Sequence, residues 1–470
     1  MSVTASDNYM RSLDLDVYRV GGSVRDDIMG KTPKDADYMV RGASLSELRA
    51  TLGGASPLKL RDGQHVGYRK GNIEVVLPRT EVSTGPGHGD FEIVVDPMLS
   101  LEKDAHRRDF TFNALYKRLA DDEILDPTGR GVDDLRHRTV EITHIDSFRD
   151  DPLRMLRALR FVSQGFTLGE FTKTIMIASA PSITGLTANG HTSGTVFTEM
   201  SRILMGEHVG DALRLARDTG VLGTLFPELD LMLAFDQGSR YHDLTTDEHT
   251  FMAIETASHV DAPLHVRWAL LFHDAGKPLT AWVGKDQRRH YYKRDEKDVI
   301  PLLGFVLVGG ENLDHQDKGA QLWAQAANRM NVDNDTKKRV KNLIQDHMLI
   351  PKKAIGVQAR RLRVKLGDRA LQDLIMHRAC DLSAKGGKKV NHESLKALRE
   401  LEAARIAAKD ARIPASVKEL AINGHDLIDL GVPGRKIGDA LNAVLDEVVV
   451  RADDLAMTAE WQLRRAGAYL

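Results

Sequence analysis

Residues 17–40 read VYRVGGSVRDDIMGKTPKDADYMV and hold the densest chemistry in the chain. Asp35 and Asp37 lie two apart in a segment expected to be a strand. At that spacing both carboxylates leave the same face. Two carboxylates side by side repel each other unless a cation joins them. Hard oxygen donors of this kind suit Mg2+, which takes carboxylates together with substrate phosphates. Two such ions can activate a 3′-hydroxyl and stabilise leaving pyrophosphate. Glu74, in the segment GNIEVVLPR, is placed to supply a third carboxylate. Ahead of the pair, Gly21-Gly22 opens a helix. Glycine lets the backbone approach a phosphate, and a helix start presents free N–H groups to an anion. Arg25, one turn in, is a candidate for holding a triphosphate.

Two further clusters mix cations with acceptors. Arg107 and Arg108 precede Asp109, with Asn113 four residues on. The arginines can hold phosphates, and Asp109 can accept from ribose hydroxyls. Asp151 and Arg154 sit three apart at the start of a periodic segment expected to be a helix over 151–162, so they share one face. A carboxylate accepts from the exocyclic amino group of cytosine or adenine, and a guanidinium donates to the neighbouring ring nitrogen. Guanine and uracil present a carbonyl beside a ring N–H. Both contacts then mismatch, at about 1–3 kcal/mol each. Such a pair selects C and A without a nucleic-acid template.

These residues resemble the class II tRNA nucleotidyltransferase and poly(A) polymerase family, within the polymerase-β-like superfamily. Four motifs carry the resemblance, in the family's order. They are Gly21-Gly22-Ser23-Val24-Arg25-Asp26 with Asp35 and Asp37, and Arg107-Arg108-Asp109-Phe110-Thr111-Phe112-Asn113-Ala114. Then come Asp126-Pro127 with Gly129, Asp133 and Leu135, and Asp150-Asp151-Pro152-Leu153-Arg154 with Leu156-Arg157 and Arg160-Phe161. Residues 422–427 and 434–438 resemble the family's C-terminal body. The resemblance implies an enzyme that adds C, C and A to the tRNA 3′ end from CTP and ATP. It implies Asp35, Asp37 and Glu74 as catalytic carboxylates with Mg2+. It places Gly21, Gly22, Arg25, Arg108, Asp109, Asn113, Asp151, Arg154, Arg157 and Arg160 around the nucleotide. Asp109 would tell ribose from deoxyribose, and Asp151 with Arg154 would read the base. Asp150 stands where the family usually has Glu. The glycine-rich loop Ser83 to Gly89 lacks the Arg, Lys or aromatic residues often seen there.

A second constellation is built from histidines. His249, His273-Asp274, His315, His347 and Asp381 follow one another along helical segments. Their order resembles the HD phosphohydrolase superfamily, whose metal site collects His, His-Asp and a distant Asp. Such ligands suit Mg2+ or a divalent transition metal that activates water on a phosphate ester. The candidate ligands are His249, His273, Asp274 and Asp381, with His315 and His347 as additions. An HD-bearing subgroup of the family hydrolyses 2′,3′-cyclic and 2′-phosphates.

The elements that must position these groups change character along the chain. Up to residue 145, β-type runs (17–20, 36–40, 73–77, 91–95) alternate with helical pieces such as 44–52, and residues 83–89 read as a hairpin loop. Beyond it, helical patterns follow at 196–205, 265–273, 335–347 and 394–408. The expected class is α+β: a polymerase-β-like palm of mixed sheet and helices, then an elongated all-α remainder. The expected domains are a catalytic palm at 1–145, a helical neck at 146–235 and an HD-type domain at 236–350, with Asp381 beyond it. A helical tRNA-binding body would occupy 351–470.

With 470 residues, 42% apolar and 28% charged, the chain has the make-up of an ordinary globular protein. A net charge of −2 confines nucleic-acid binding to local patches. The basic stretch 351–395, with Lys352, Lys353, Arg360, Arg361, Arg363, Lys365, Arg369, Arg378, Lys385, Lys388 and Lys389, is the candidate surface for the tRNA acceptor and T arms. Cys380 is the single cysteine, so no internal disulfide forms. The sequence has no apolar run for a membrane and no secretory leader, and a cytoplasmic setting is expected. The oligomeric state is not fixed by the sequence. Two alternatives stay open: a poly(A) polymerase or partial CC- or A-adding enzyme, and an HD phosphohydrolase whose transferase half binds RNA.

Overall fold

The computed structural model describes residues 2–33, 35–60, 63–83, 91–188, 193–238, 244–283, 289–293, 312–351, 354–384 and 392–469. They form two compact units, 1–230 with 326–332 and 231–325 with 333–470. The loop residues 84–90 and the basic residues Lys352, Lys353, Lys385, Lys388 and Lys389 lie outside the described residues.

The first unit opens on nine strands: β1 (Asp16–Val20), β2 (Asp37–Arg41), β3 (Ser56–Lys59), β4 (His65–Lys70), β5 (Ile73–Val76), β6 (Arg79–Ser83), β7 (Phe91–Val95), β8 (Tyr116–Arg118) and β9 (Ile124–Leu125). Seven form a sheet in the order β3-β4-β5-β2-β1-β8-β9, while β6 and β7 pair as a separate hairpin. Central β1 is buried from Val17 to Val20, as a strand covered on both faces must be. β2 and β5 run parallel, and this pairing sets Asp37 opposite Glu74. Parallel neighbours need a crossover. Here it includes the helix Leu45–Leu52, started by a capping box between Ser44 and Glu47. Gly67 on β4 has no room for a side chain: a Cβ there would stand 2.0 Å from the Val75 carbonyl oxygen.

Two expectations are corrected at the edges of elements. Asp35 lies ahead of β2, which begins at Asp37. The ladder stops there because Asp37 pairs with Val20, the last residue of β1 before the chain turns at Gly21. The helix expected from Asp151 begins at Leu153 and ends at Val162. Asp151 has φ −141° and ψ 96° because Pro152 excludes its predecessor from helical backbone. The helix buries Leu153, Leu156, Leu159 and Phe161. Phe161 meets Phe110, Phe112 and Phe166 at 5.6, 4.9 and 5.4 Å between ring centroids. Burying each such ring contributes roughly 1.5–3 kcal/mol. This cluster fixes the 107–113 segment against the helix.

The second unit is mostly helical. Its helices include Thr246–His259, Leu264–Phe272, Asn334–Asp346, Ile355–Leu366, Asp368–Ser383 and His392–Asp410. Trp268, Phe272 and Trp323 pack together in its core. The basic stretch is less of a surface than its composition suggests. Arg363 is buried on Asp368 and the Ile413 carbonyl, Arg378 pairs with Asp381, and Arg360 donates to the Val450 carbonyl. Arg361, Lys365 and Arg369 remain exposed.

Candidate active site

The Asp37 carboxyl lies at the mouth of the sheet, beside Glu74 on β5. Partial burial pushes its pKa up, Glu74 and Asp35 push it further, and Arg108 works the other way. A carboxyl raised by acidic neighbours in this way marks a donor set that a divalent cation relieves. The structure thus brings the three expected carboxylates into one field. Glu74 also pairs with Arg69 across β4. Gly21, at the end of β1, has φ +68°, which a side chain rarely adopts. A Cβ on it would stand 3.4 Å from Arg108 Nη1.

Arg25 does not extend from its helix toward open space. It donates to Asp26 and, at 2.8 Å, to the Asn113 side-chain carbonyl, and it lies over the Phe161 ring. The Asn113 amide donates to Asp109 Oδ1 at 3.0 Å, and Arg157 sits 2.8 Å from Asp109 Oδ2. Arg25, Asn113, Asp109 and Arg157 therefore form one polar chain. Burial pushes Asp109 up, but Arg157 and Asn113 outweigh it and hold the carboxyl below its usual range. Arg160 stands outside this chain, because Glu199 takes its guanidinium at 2.9 and 3.1 Å.

Asp151 and Arg154 are both buried, and Arg154 Nε lies 3.8 Å from Asp151 Oδ2. Asp151 Oδ1 accepts from the Leu153 amide at 3.0 Å and so caps the helix from outside it. Arg154 donates to Ser147 Oγ at 2.9 Å and to the Arg107 carbonyl at 2.6 Å. The base-reading candidates thus lean on the segment that carries Asp109.

Asp104 was not singled out by its sequence context. It is fully buried and accepts from Arg107, Arg108 and Tyr116. Burial raises its pKa, and the two arginines more than reverse that. The signal was present as an acid on the helix Leu101–His106, three and four residues before the arginines that follow its end.

In the second unit, His249, His273, Asp274, His315, His347 and Asp381 come together although they arise from separate segments. Four Nδ1 atoms face backbone carbonyls: His249 on Ala384, His273 on Leu270, His315 on Tyr291 and His347 on Ile344. A carbonyl only accepts, so each Nδ1 carries a proton. The Nε2 atoms of His315 and His347 then turn lone pairs inward, while those of His249 and His273 face the carboxylates of Asp381 and Asp274. Asp274 Oδ2 lies 3.7 and 3.2 Å from His249 and His273, and Oδ1 lies 3.6 and 4.0 Å from His315 and His347. Asp381 Oδ1 lies 3.0 Å from His249. The His315 and His347 Nε2 atoms face each other at 3.3 Å, an arrangement that a cation between them would relieve. Burial pushes His315 down to about 4. Burial raises Asp274 and Asp381, but adjacent cationic groups, His273 and Lys277 for one and Arg378 for the other, hold both well below their usual range. Ionised carboxylates and neutral imidazoles are the forms that bind metal. Burial holds His315 and His347 in that form, whereas at His273 burial is outweighed by Asp274, which raises the ring, so a cation bound there would displace a proton. Two residues missed in the sequence complete the cluster. Lys277 donates to Asp274 at 2.7 Å, and His377, one turn before Asp381, is wholly buried against His273 and His347.

Among the described residues no helix is long and apolar enough to cross a membrane. The Poly A polymerase head domain family matches residues 17–141, and the family described as a probable RNA and SrmB- binding site of polymerase A matches 196–233. A multifunctional CCA protein of Nitrosococcus oceani is 34% identical over 62% of this chain and 69% of its own length. One from Acidovorax sp. is 28% identical over 95% and 98% of the two chains. The fold is also that of the Bacillus stearothermophilus CCA-adding enzyme solved with CTP, at TM-score 0.58, 22% identity and 98% and 95% coverage. The Thermotoga maritima CCA-adding enzyme solved with tRNA aligns at TM-score 0.55, 18% identity and 97% and 91% coverage. A polymerase-type head carrying clustered carboxylates, followed by a helical remainder, agrees with this kinship, and the chain belongs to the multifunctional CCA protein family of nucleotidyltransferases.

Proposed function

We propose that this enzyme adds C, C and A to tRNA 3′ ends from CTP and ATP, releasing pyrophosphate. The observation that carries the reading is the polar chain Arg25–Asn113–Asp109–Arg157 beside the Asp151–Arg154 pair, with Arg108 between this segment and Asp37. The name shared by the relatives supports it. Asp35, Asp37 and Glu74 would hold Mg2+, which when bound supplies charge neutralisation at the triphosphate and acidifies the attacking hydroxyl. Asp109 accepts from the ribose 2′-hydroxyl after exchanging one of its present partners. Asp151 accepts from the exocyclic amino group, and Arg154 donates to the ring nitrogen. Arg108, already next to Asp37, and the Gly21 turn are assigned to the phosphates. Residues 1–145 act as the palm, 146–235 as the neck, 236–350 as the HD domain and 351–470 as the tRNA-binding body. Arg361, Lys365 and Arg369 are the phosphate contacts proposed in that body. A cytoplasmic setting fits this work.

The test is extension of transcribed tRNAs ending before CCA, after the first C and after both Cs. Each meets CTP, ATP, GTP or UTP with Mg2+, beside Asp35→Ala. Termination at CCA with a dead variant supports the reading. Long A tails would turn it into a poly(A) polymerase.

A second reading concerns the other unit. The histidines and carboxylates gathered around Asp274 support a metal-dependent phosphohydrolase acting on phosphate esters of RNA ends. Its metal is a divalent ion, Mg2+ or a transition metal. Release of phosphate from a 2′-phosphorylated RNA end, lost in His273→Ala, tests it.

A further inference from the structure

We propose that His144 is a positioning residue for nucleotide choice, holding the turn that carries Asp151 and Arg154 in register with the segment that carries Asp109. The inference rests on the base-reading assignment above. Two short helices end just before these functional groups. Leu101–His106 runs into Arg107-Arg108-Asp109, and Ser147–Asp150 runs into Asp151. His144 joins the two ends. Its ring stacks on His106 at 4.1 Å and 26°, and its Nε2 lies 2.9 Å from Asp150 Oδ2. A carboxylate only accepts, so Nε2 carries the proton. Nδ1 then turns its lone pair toward Thr143 Oγ at 3.2 Å.

The single Thr143 Oγ proton goes to the Arg108 carbonyl at 2.6 Å, one residue before Asp109, so the His144 ring packs against the hydroxyl without a hydrogen bond. Next to it the Thr111 amide donates to Glu141, and Phe110 bridges to Ile142. Arg154 closes the circuit from the other side on the Arg107 carbonyl. The segment 141–144 is thus fastened along 108–111 and hooked to Asp150 through one side chain. Base discrimination depends on hydrogen bonds worth about 1–3 kcal/mol when mismatched. Such contacts discriminate only if the reading groups stay within about 0.5 Å of their place. The His144 ring is nearly buried and forms one wall of a cavity of about 390 Å³ beside Thr111, Arg130 and Phe171. Asp150 therefore acts through the neighbouring residue it steadies, and His144 acts through Asp150.

The full chain tests this with three variants at the hook. His144→Phe keeps a stacking ring and loses the donor. His144→Gln keeps a donor at similar reach. Asp150→Ala removes the acceptor. The measured quantity is the ratio of kcat/KM for CTP over UTP on a tRNA lacking CCA, and for ATP over GTP on one ending in CC. Asp151→Asn and thermal midpoints are run beside them. His144→Phe and Asp150→Ala each lower the ratio by about tenfold, the double variant is no worse than either, and His144→Gln stays within about threefold of the parent. A ratio kept by His144→Phe and Asp150→Ala but lost by Asp151→Asn means that His144 only packs, and the proposal falls alone. A ratio kept by Asp151→Asn as well removes the base-reading assignment and the proposal with it. Should His144→Phe fail to fold, Asp150→Ala and His144→Gln decide the matter by the same ratio.

Discussion

Asp37 and Glu74 are register partners on adjacent parallel strands, so their side chains leave the same face of the sheet at neighbouring positions. The third carboxylate is therefore delivered by strand pairing and not by a loop. A side chain placed in this way has little freedom to adjust.

Asp37→Ala is expected to lower nucleotidyl transfer by at least about a thousandfold, because a charge-bearing ligand is lost from the reacting centre. Glu74→Gln should be milder and should show chiefly as a higher Mg2+ concentration for half-maximal rate. A Mg2+ titration of CTP incorporation checks both. An unchanged Mg2+ dependence in Glu74→Gln would remove Glu74 from the ligand set.

Asp109 is held by Arg157 and Asn113. Asp109→Ala is expected to cut the preference for CTP over dCTP by about tenfold or more, the worth of one charge-assisted hydrogen bond. Competition between the two nucleotides in single-turnover extension measures it. A preserved preference would show that another group reads the sugar.

The surroundings of the His144 ring give it a pH dependence of definite expected sign. Burial lowers its pKa below the ordinary 6.5, with Asp150 pulling it up and His106 pushing it down. The folded chain then binds fewer protons than the unfolded one as the pH falls through 6.5. Stability is full above that value and declines below it. Urea midpoints at pH 7.5 and 5.5 should differ, and His144→Gln should narrow the gap. An equal gap in both proteins would contradict the assignment. His315 and His377, lowered by burial to about 4 and about 3, leave a slope of the same sign behind.

Asp274→Ala is expected to abolish phosphate-ester hydrolysis and to empty the histidine cluster of metal, because it withdraws a carboxylate from both ligand groups. Elemental analysis of the purified chain reads this directly. Asp37→Ala should leave that metal in place. Metal retained in Asp274→Ala would show that the histidines bind without it.

Gly67→Ala would put a methyl carbon on the Val75 carbonyl and force β4 and β5 apart. A loss of about 1–3 kcal/mol is expected for an overpacked position of this kind, read from the urea midpoint. A midpoint within error of the parent would mean that the strands give way freely.

Much of this was legible in the residues. Strands at 17–20 and 91–95 and helices at 196–205 and 394–408 follow from apolar period and local turn residues, and the structure has them within a few residues. The polar chain through Asp109 was legible as a motif but not as a geometry. That Arg25 meets Asn113 depends on β1 and β8 pairing, a contact across many residues that spacing does not encode. Asp151 stands outside its helix because of Pro152, a local effect the sequence did display. His144 was silent. It has no motif, and although Asp150 is near in sequence, His106 reaches it across the contacts that fasten 141–144 along 106–111.

Each oxygen of Asp274 faces a different pair of histidines. The consequence is evolutionary. The two histidine pairs share one codon, so they cannot decay independently through that position. One point mutation there would silence both and leave four buried histidines whose only remaining role is packing. Regaining the chemistry would then need a single reversal, as long as those histidines had not yet been replaced by apolar residues of similar size.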